Sequence, residues 1–221
     1  MRTTHLPRAI RSSIVIVILA LQAPGVAGPE TDPEISSICG NPGIPTTDSL
    51  DICAGWFGAE WRLVPRQDDP AKKTWAFKSL VTTLQVEREM DSRPAYGRYA
   101  LGWEIDGCEM LWSLVQPVDS GEWRVRFSHC GEGNERVYHI VPDQRVTIGT
   151  DRISVRLDLE SELAQVAESF SLGAELEDLY AKTLIGLESQ TLQETVTYSF
   201  DYAEGSRSFV IGQDRPDDPE D

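Results

Sequence analysis

The sequence predicts an α+β protein that is mostly antiparallel β, built as a meander, a sandwich or an open barrel. One interrupted helix is expected near the C-terminus, and two disulfides are expected to staple the chain. Three observations predict this. From Trp56 onward apolar residues recur with a period of two, the strand signal. Between Leu163 and Leu187 the spacing changes to three and four, the helical signal. Four cysteines follow a segment ordered like a secretory leader, and an oxidising compartment favours disulfides over metal ligands or reactive thiols.

The leader spans residues 1–27. Arg2, Arg8 and Arg11 precede the apolar run Ile14 to Leu21, and Gly25-Val26-Ala27 supplies small residues for cleavage. Eight apolar residues are too few to span a bilayer. Removing the leader takes away three arginines and no acid. That leaves 17 basic against 36 acidic residues and moves the net charge from -16 to -19. Such a chain is repelled by nucleic acid and by anionic membrane. No later apolar stretch is long enough for a membrane span. Asn41 and Asn134 are the only asparagines, and neither begins an Asn-x-Ser/Thr acceptor. Localisation is therefore expected to be secreted or periplasmic.

Residues 28–53 read as a mobile, proline-punctuated segment carrying a disulfide loop between Cys39 and Cys53. Closing such a loop constrains the unfolded chain by roughly 3 kcal/mol. Residues 54–212 read as a single β-rich domain. Trp75 and Phe77, then Leu101, Trp103 and Ile105, alternate like strands, while Leu80 to Met90 could be strand or helix. The most readable stretch is Cys108 to Val141. If Cys108 faces Cys130 across an antiparallel pair, Trp112 faces Arg126 and Leu114 faces Arg124, with Pro117 to Gly121 as the loop. Gly131 to Asn134 then returns the chain so that Arg126 also faces His139. In this register Leu111, Val115, Trp123, Val125, Phe127, Tyr138 and Ile140 share one face. Val146 and Ile148 face Ile153 and Val155 around Thr150-Asp151. The predicted helix follows: Leu163, Val166, Ala167 and Phe170, then Leu176, Leu179, Tyr180, Thr183 and Leu187, with Ser161 as N-cap, a break at Gly173 and a stop at Gly186. Its acids, among them Glu162, Glu175, Glu177 and Asp178, would form a wet face. Tyr198, Phe200 and Tyr202 are expected to face Arg207, Phe209 and Ile211 around Glu204-Gly205. Residues 213–221 read as a solvated acidic tail.

For function the motifs are sparse. No HExxH, P-loop, G-x-S-x-G or CxxC occurs in the sequence. No metal and no cofactor are expected. His129 and His139, the two histidines past the leader, fall on opposite faces in the register above and so would not share a metal or an acid–base role. Six tryptophans between positions 56 and 123 read first as core and second as a saccharide platform. The expected binding constellation is Trp112, Arg124, Arg126 and His139, side by side on the disulfide face, where two arginines could hold an anionic group beside a stacking wall. The first functional expectation is thus a non-enzymatic binding or interaction protein, an envelope accessory protein or a protein inhibitor. Its partner would be another protein or an anionic or saccharide ligand. The alternative is a small secreted hydrolase acting on glycans through the paired carboxylates Glu104 and Asp106.

Overall fold

The computed structural model describes residues 32–37, 39, 50–87, 97–115, 123–131, 135–188 and 195–219. Residues 1–31, 38, 40–49, 88–96, 116–122, 132–134, 189–194 and 220–221, the proposed leader among them, lie outside this description. The described chain forms two antiparallel sheets and very little helix. The smaller sheet has the order β1 (Ile35–Ser36), β2 (Ile52–Pro65), β3 (Lys73–Val86), β9 (Arg152–Asp158) and β8 (Val146–Ile148). The larger runs β11 (Thr195–Glu204), β10 (Glu175–Glu188), β4 (Gly97–Ile105), β5 (Cys108–Val115), β6 (Arg124–Cys130) and β7 (Arg136–Val141). A two-residue strand, β12 (Phe209–Val210), pairs with the start of β10. Among the described residues no helix is long and apolar enough to cross a membrane.

The inner faces of both sheets share one core. β9 shows why its sequence makes a strand: Ile153, Val155 and Leu157 are buried while Arg152, Ser154 and Arg156 between them are not. The hairpin register expected for β8 and β9 is the one observed, Val146 with Val155 and Ile148 with Ile153. From the larger sheet Leu101, Trp103, Trp112 and Phe127 point inward and are fully buried. Phe57 meets Trp103 edge to face at 5.8 Å, and the Trp112 Nε1–H donates to Thr82 Oγ1 at 2.7 Å, so the two sheets are joined by packing and by a hydrogen bond.

Both expected disulfides are present, Cys39–Cys53 and Cys108–Cys130, with Cα separations of 4.8 and 5.6 Å. The register inferred from the second is nevertheless one residue out. Trp112 pairs with Phe127 and Leu114 with Val125, while Ser113 and Val115 oppose Arg126 and Arg124. Counting from the Leu111–Ser128 pair, Cys108 lies three residues along β5 but Cys130 only two along β6. The sulfurs meet across an extra β5 residue, and a ladder extended straight from them lands on the wrong partners. The β6–β7 turn adds the same error: Cys130 pairs with Arg136, and Arg126 faces Ile140 rather than His139. Val125 and Phe127 face inward as expected, with Trp112 beside them. Tyr138 and Ile140 stand on the outer face, both more than half exposed.

The interrupted helix is replaced by other structure. Its first half is a short 3-10 helix, Ala164–Ser169, and its second half is the long strand β10. A bulge produced the helical spacing. Glu177 pairs with Glu104 and Tyr180 with Gly102, so β10 holds one residue more than β4 between these pairs. Leu176 and Leu179, three apart, therefore both reach the core, and Ala181 and Thr183 continue inward at strand spacing. The final expected hairpin is also absent. β11 pairs with β10, and Phe209 of β12 opposes Leu176. The side chains of Tyr198 and Phe200 lie outside the description.

Neither end behaves as a free segment where it is described. Ile35 is buried in β1, and the buried Glu34 carboxylate accepts from the Phe57 N–H at 2.9 Å and pairs with Arg207. In the tail, Asp214 accepts from the Ala59 N–H at 2.7 Å and Asp218 from the Trp75 N–H at 3.2 Å; the Trp75 Nε1–H donates to the Asp217 carbonyl. The acidic residues are thus acceptors for N–H groups of β2 and β3, which a solvated tail would not supply.

Trp112→Ala is expected to lower stability by about 3–5 kcal/mol through cavity formation and loss of the Thr82 bond, and Arg126→Ala to change it by less than about 0.5 kcal/mol. Urea unfolding of the oxidised protein measures both. Equal effects would reverse the assignment of the two faces.

Candidate functional site

The bulge in β10 shapes the clearest site. Asp178 is the extra residue and adopts a left-handed backbone (φ 44°), which aspartate tolerates better than most residues. Where β10 bows away from β4 a cavity of about 410 Å³ opens, lined by Trp103, Glu104, Glu109, Asp178, Leu179, Tyr180, Tyr202, Glu204 and Gly205. Trp103 and Leu179 are inner-face residues, whereas Glu104, Tyr180 and Glu204 lie on the outer face, so the cavity enters the sheet at the break in its ladder.

Tyr180 lies across Gly102, its partner on β4. A Cβ there would sit 2.4 Å from the phenol ring, so only glycine allows the approach. The ring stacks on Tyr202 at 6.0 Å and 26°. The Tyr180 hydroxyl donates to Glu109 Oε1 at 2.6 Å, and Arg136 holds the other oxygen of that carboxylate. Glu109 and Glu104 are direct cross-strand partners. Two like charges so placed repel, and Arg136 and Tyr180 offset this for Glu109. Burial, then the bond to Glu109 and its charge, raise the Tyr180 phenol well above its ordinary value. Burial, then the charge of Glu204 and a bond to it, raise Tyr202 in the same direction. Both phenols therefore stay protonated and donate to carboxylates. The site offers aromatic faces and hydrogen-bond acceptors.

The expected constellation of Trp112, Arg124, Arg126 and His139 is not one surface. Trp112 and His139 sit in one inward row with Phe127 between them; Arg124 and Arg126 are exposed on the outer face. Arg126 lies over the Tyr138 ring at 5.6 Å, and Arg124 lines a separate cavity of about 560 Å³ beside Trp123 and Ile140. The alternative pair also separates. Glu104 lines the bulge cavity, but β4 ends at Ile105, and Asp106-Gly107 forms a two-residue turn with both residues at positive φ (51° and 74°). Asp106 is exposed there and does not line the cavity.

The two histidines do meet, against the expectation of opposite faces. Their Nε2 atoms are 3.1 Å apart. His129 is fully buried and its Nδ1 lies 2.7 Å from the Cys130 carbonyl, so Nδ1–H donates there. With Nδ1 engaged, His129 meets His139 through Nε2, and one of the two Nε2 atoms donates to the other. Beyond them Arg145 clasps Asp158 at 2.8 Å and the buried Glu162. Among the described residues no group of three or more His, Cys, Asp or Glu side chains is arranged to hold a metal ion.

Tyr180, Tyr202, Glu109, Asp178 and Glu204 were missed by sequence reasoning. Asp106-Gly107, a strong type I′ signal, would have placed Glu104 beside Glu109. Nothing in the sequence marked the bulge. Compared with known proteins, the chain matches no family model, no curated protein and no solved structure.

The histidine pair gives a pH prediction. Burial and the neighbouring His129 lower the His139 pKa from 6.5, with Glu162 partly opposing. As pH falls through 6.5 the unfolded chain takes up the proton before the folded one, so stability falls. Glu162 contributes in a lower window. Burial opposes its charge, but bonds from Ser161 and the Asp158 N–H, with Arg145, outweigh this and hold it below 4.5. The melting temperature should therefore drop between about pH 7.5 and 5.5, and His139→Gln should flatten that drop. An identical slope in the variant would remove His139 as its source.

Proposed function

We propose that this chain is a non-enzymatic binding protein, exported by its leader to a secreted or periplasmic location, which takes a ligand at the β10 bulge. The observation that carries this reading is the stacked Tyr180–Tyr202 pair, with Tyr202 half-exposed, set among carboxylates in a cavity that only the bulge creates. Aromatic faces beside convergent polar groups are what a small ligand or a protruding side chain needs. The two disulfides fit an oxidising destination.

The hydrolase alternative has less support, because the pair it was built on is divided between a strand and a turn. The neighbour that Glu104 does have, Glu109, is engaged by Arg136 and Tyr180. Both oxygens of that carboxylate already have donors, which leaves neither free to face a leaving group. An anionic ligand would suit Arg124 and Arg126 instead, at the other end of the outer face.

A small library of amino acid amides, short peptides and saccharides, read by amide chemical shifts of the oxidised protein, tests the reading. The expected result is a binder that shifts amides of β4, β10 and β11 around the cavity and is recovered unchanged. Tyr202→Ala should weaken it about threefold to tenfold, the range of one aromatic contact, with little change in melting temperature. Binders that map only to other surfaces, or that are recovered cleaved, would overturn it.

A further inference from the structure

Resting on the cavity as the ligand site, we infer that what it holds is a guanidinium group, carried by an arginine residue whose own carbonyl lies within reach. Two independent features require the two parts of that ligand. The first is charge. Glu104, Asp178 and Glu204 line the cavity together, and of the four carboxylates there only Glu109 is held by an arginine among the described residues. Tyr202 bonds to Glu204, which positions that carboxylate without neutralising it. Lys182, on the same face, is drawn over the Tyr180 ring at 5.3 Å. Like charges gathered in a partly enclosed space repel more strongly than in water, and a cation relieves them. A bare metal ion does not suit, because these acids are not arranged as a ligand set. A planar cation does: its fork of N–H donors spans two carboxylates while its face lies against tyrosine.

The second feature is Trp103. Its side chain is fully buried and lines the cavity, and its Nε1–H has no acceptor among the described residues. Buried indole N–H groups ordinarily find a partner. A cation has no acceptor to offer it, but an amide carbonyl does. Arginine within a polypeptide, or as a free amide, brings both chemistries together. With the acidic charge of the whole chain, the same field that fills the cavity also draws such a ligand toward it.

The test is calorimetry and tryptophan fluorescence on the oxidised protein, using N-acetyl-arginine amide, its neutral isostere N-acetyl-citrulline amide, ethylguanidinium and a short arginine-containing peptide. Arginine amide should bind at least about tenfold more tightly than citrulline amide, and raising salt from about 25 to 250 mM should weaken it. It should also bind more tightly than ethylguanidinium, which has no carbonyl for Trp103; this needs no core substitution. Glu204→Gln, at an exposed position, should weaken arginine amide about fivefold or more while the fold is kept. A peptide that binds better than the amide identifies a polypeptide source; equal affinity identifies a small molecule, and both support the inference. Citrulline binding as tightly as arginine, or no saturable binding of either arginine probe, would overturn it. If neutral probes still shifted the cavity amides, the binding reading would survive that failure. If arginine bound but neither Glu204→Gln nor Tyr202→Ala weakened it, both would fall.

Discussion

The indole of Trp112 is too large to be tolerated half-inside a thin sandwich, and its one N–H is costly to bury alone. Thr82, on the opposite sheet, supplies the acceptor at 2.7 Å. With that bond made, the parity of the larger sheet is set. Leu101, Phe127 and His139 fall in the same inward row as Trp112, and their neighbours along each strand must face out. The outward rows are then determined too. One runs Tyr180, Gly102, Leu111, Ser128, Tyr138; the next runs Tyr202, Lys182, Ala100, Ser113, Arg126, Ile140. Which residues stand in these outward rows follows from the parity that the buried tryptophan sets.

Within that frame the cavity depends on a departure from regularity. A sheet with every ladder bond intact has no room for a ligand between neighbouring strands. The extra residue at Asp178 breaks the ladder once, near the end of β4, and the cavity lies at the break. The same insertion keeps Leu176 and Leu179 in the core on either side of it, so the opening does not cost the inner face its packing. Another irregularity, near Cys108 and Cys130, lies one hairpin away. There the disulfide ties β5 to β6 where the regular ladder has ended, and Arg136, opposite Cys130, reaches Glu109 in the cavity wall.

This explains which parts were legible in the sequence. The strand content, the disulfide partners and the β8–β9 register each depend on a local pattern, and each is found. Face assignments in β5 and β7 depend on counting outward from β6 through an irregularity, and a single uncounted residue inverts them: Leu111 for Trp112, Tyr138 for His139. In β10 the bulge turned a period of two into a spacing of three at Leu176–Leu179, which is the helical signature. Asp178 and Glu177 then looked like a wet helix face, whereas one is the bulge residue and the other pairs with Glu104. Glu104 was singled out as a candidate, but for a partner that lies in a turn. The site escaped notice because its defining event, one inserted residue, leaves no mark of composition.

The separation of charge on the outer face follows from the same geometry. Glu104 and Glu109 oppose each other in the row nearest the β4–β5 turn, while Arg126 and Arg124 lie two and three rows away along the strands. With about 3.3 Å per residue, two rows on one face are roughly 13 Å apart, more than a Debye length at physiological salt. These two arginines therefore cannot neutralise the cavity carboxylates through solvent, and among the described residues only Arg136, on β7, pairs with one of them. Lys182 stands at the acidic end as well but lies over the Tyr180 ring, so among the described residues Glu104, Asp178 and Glu204 keep no arginine partner where the backbone has already been opened.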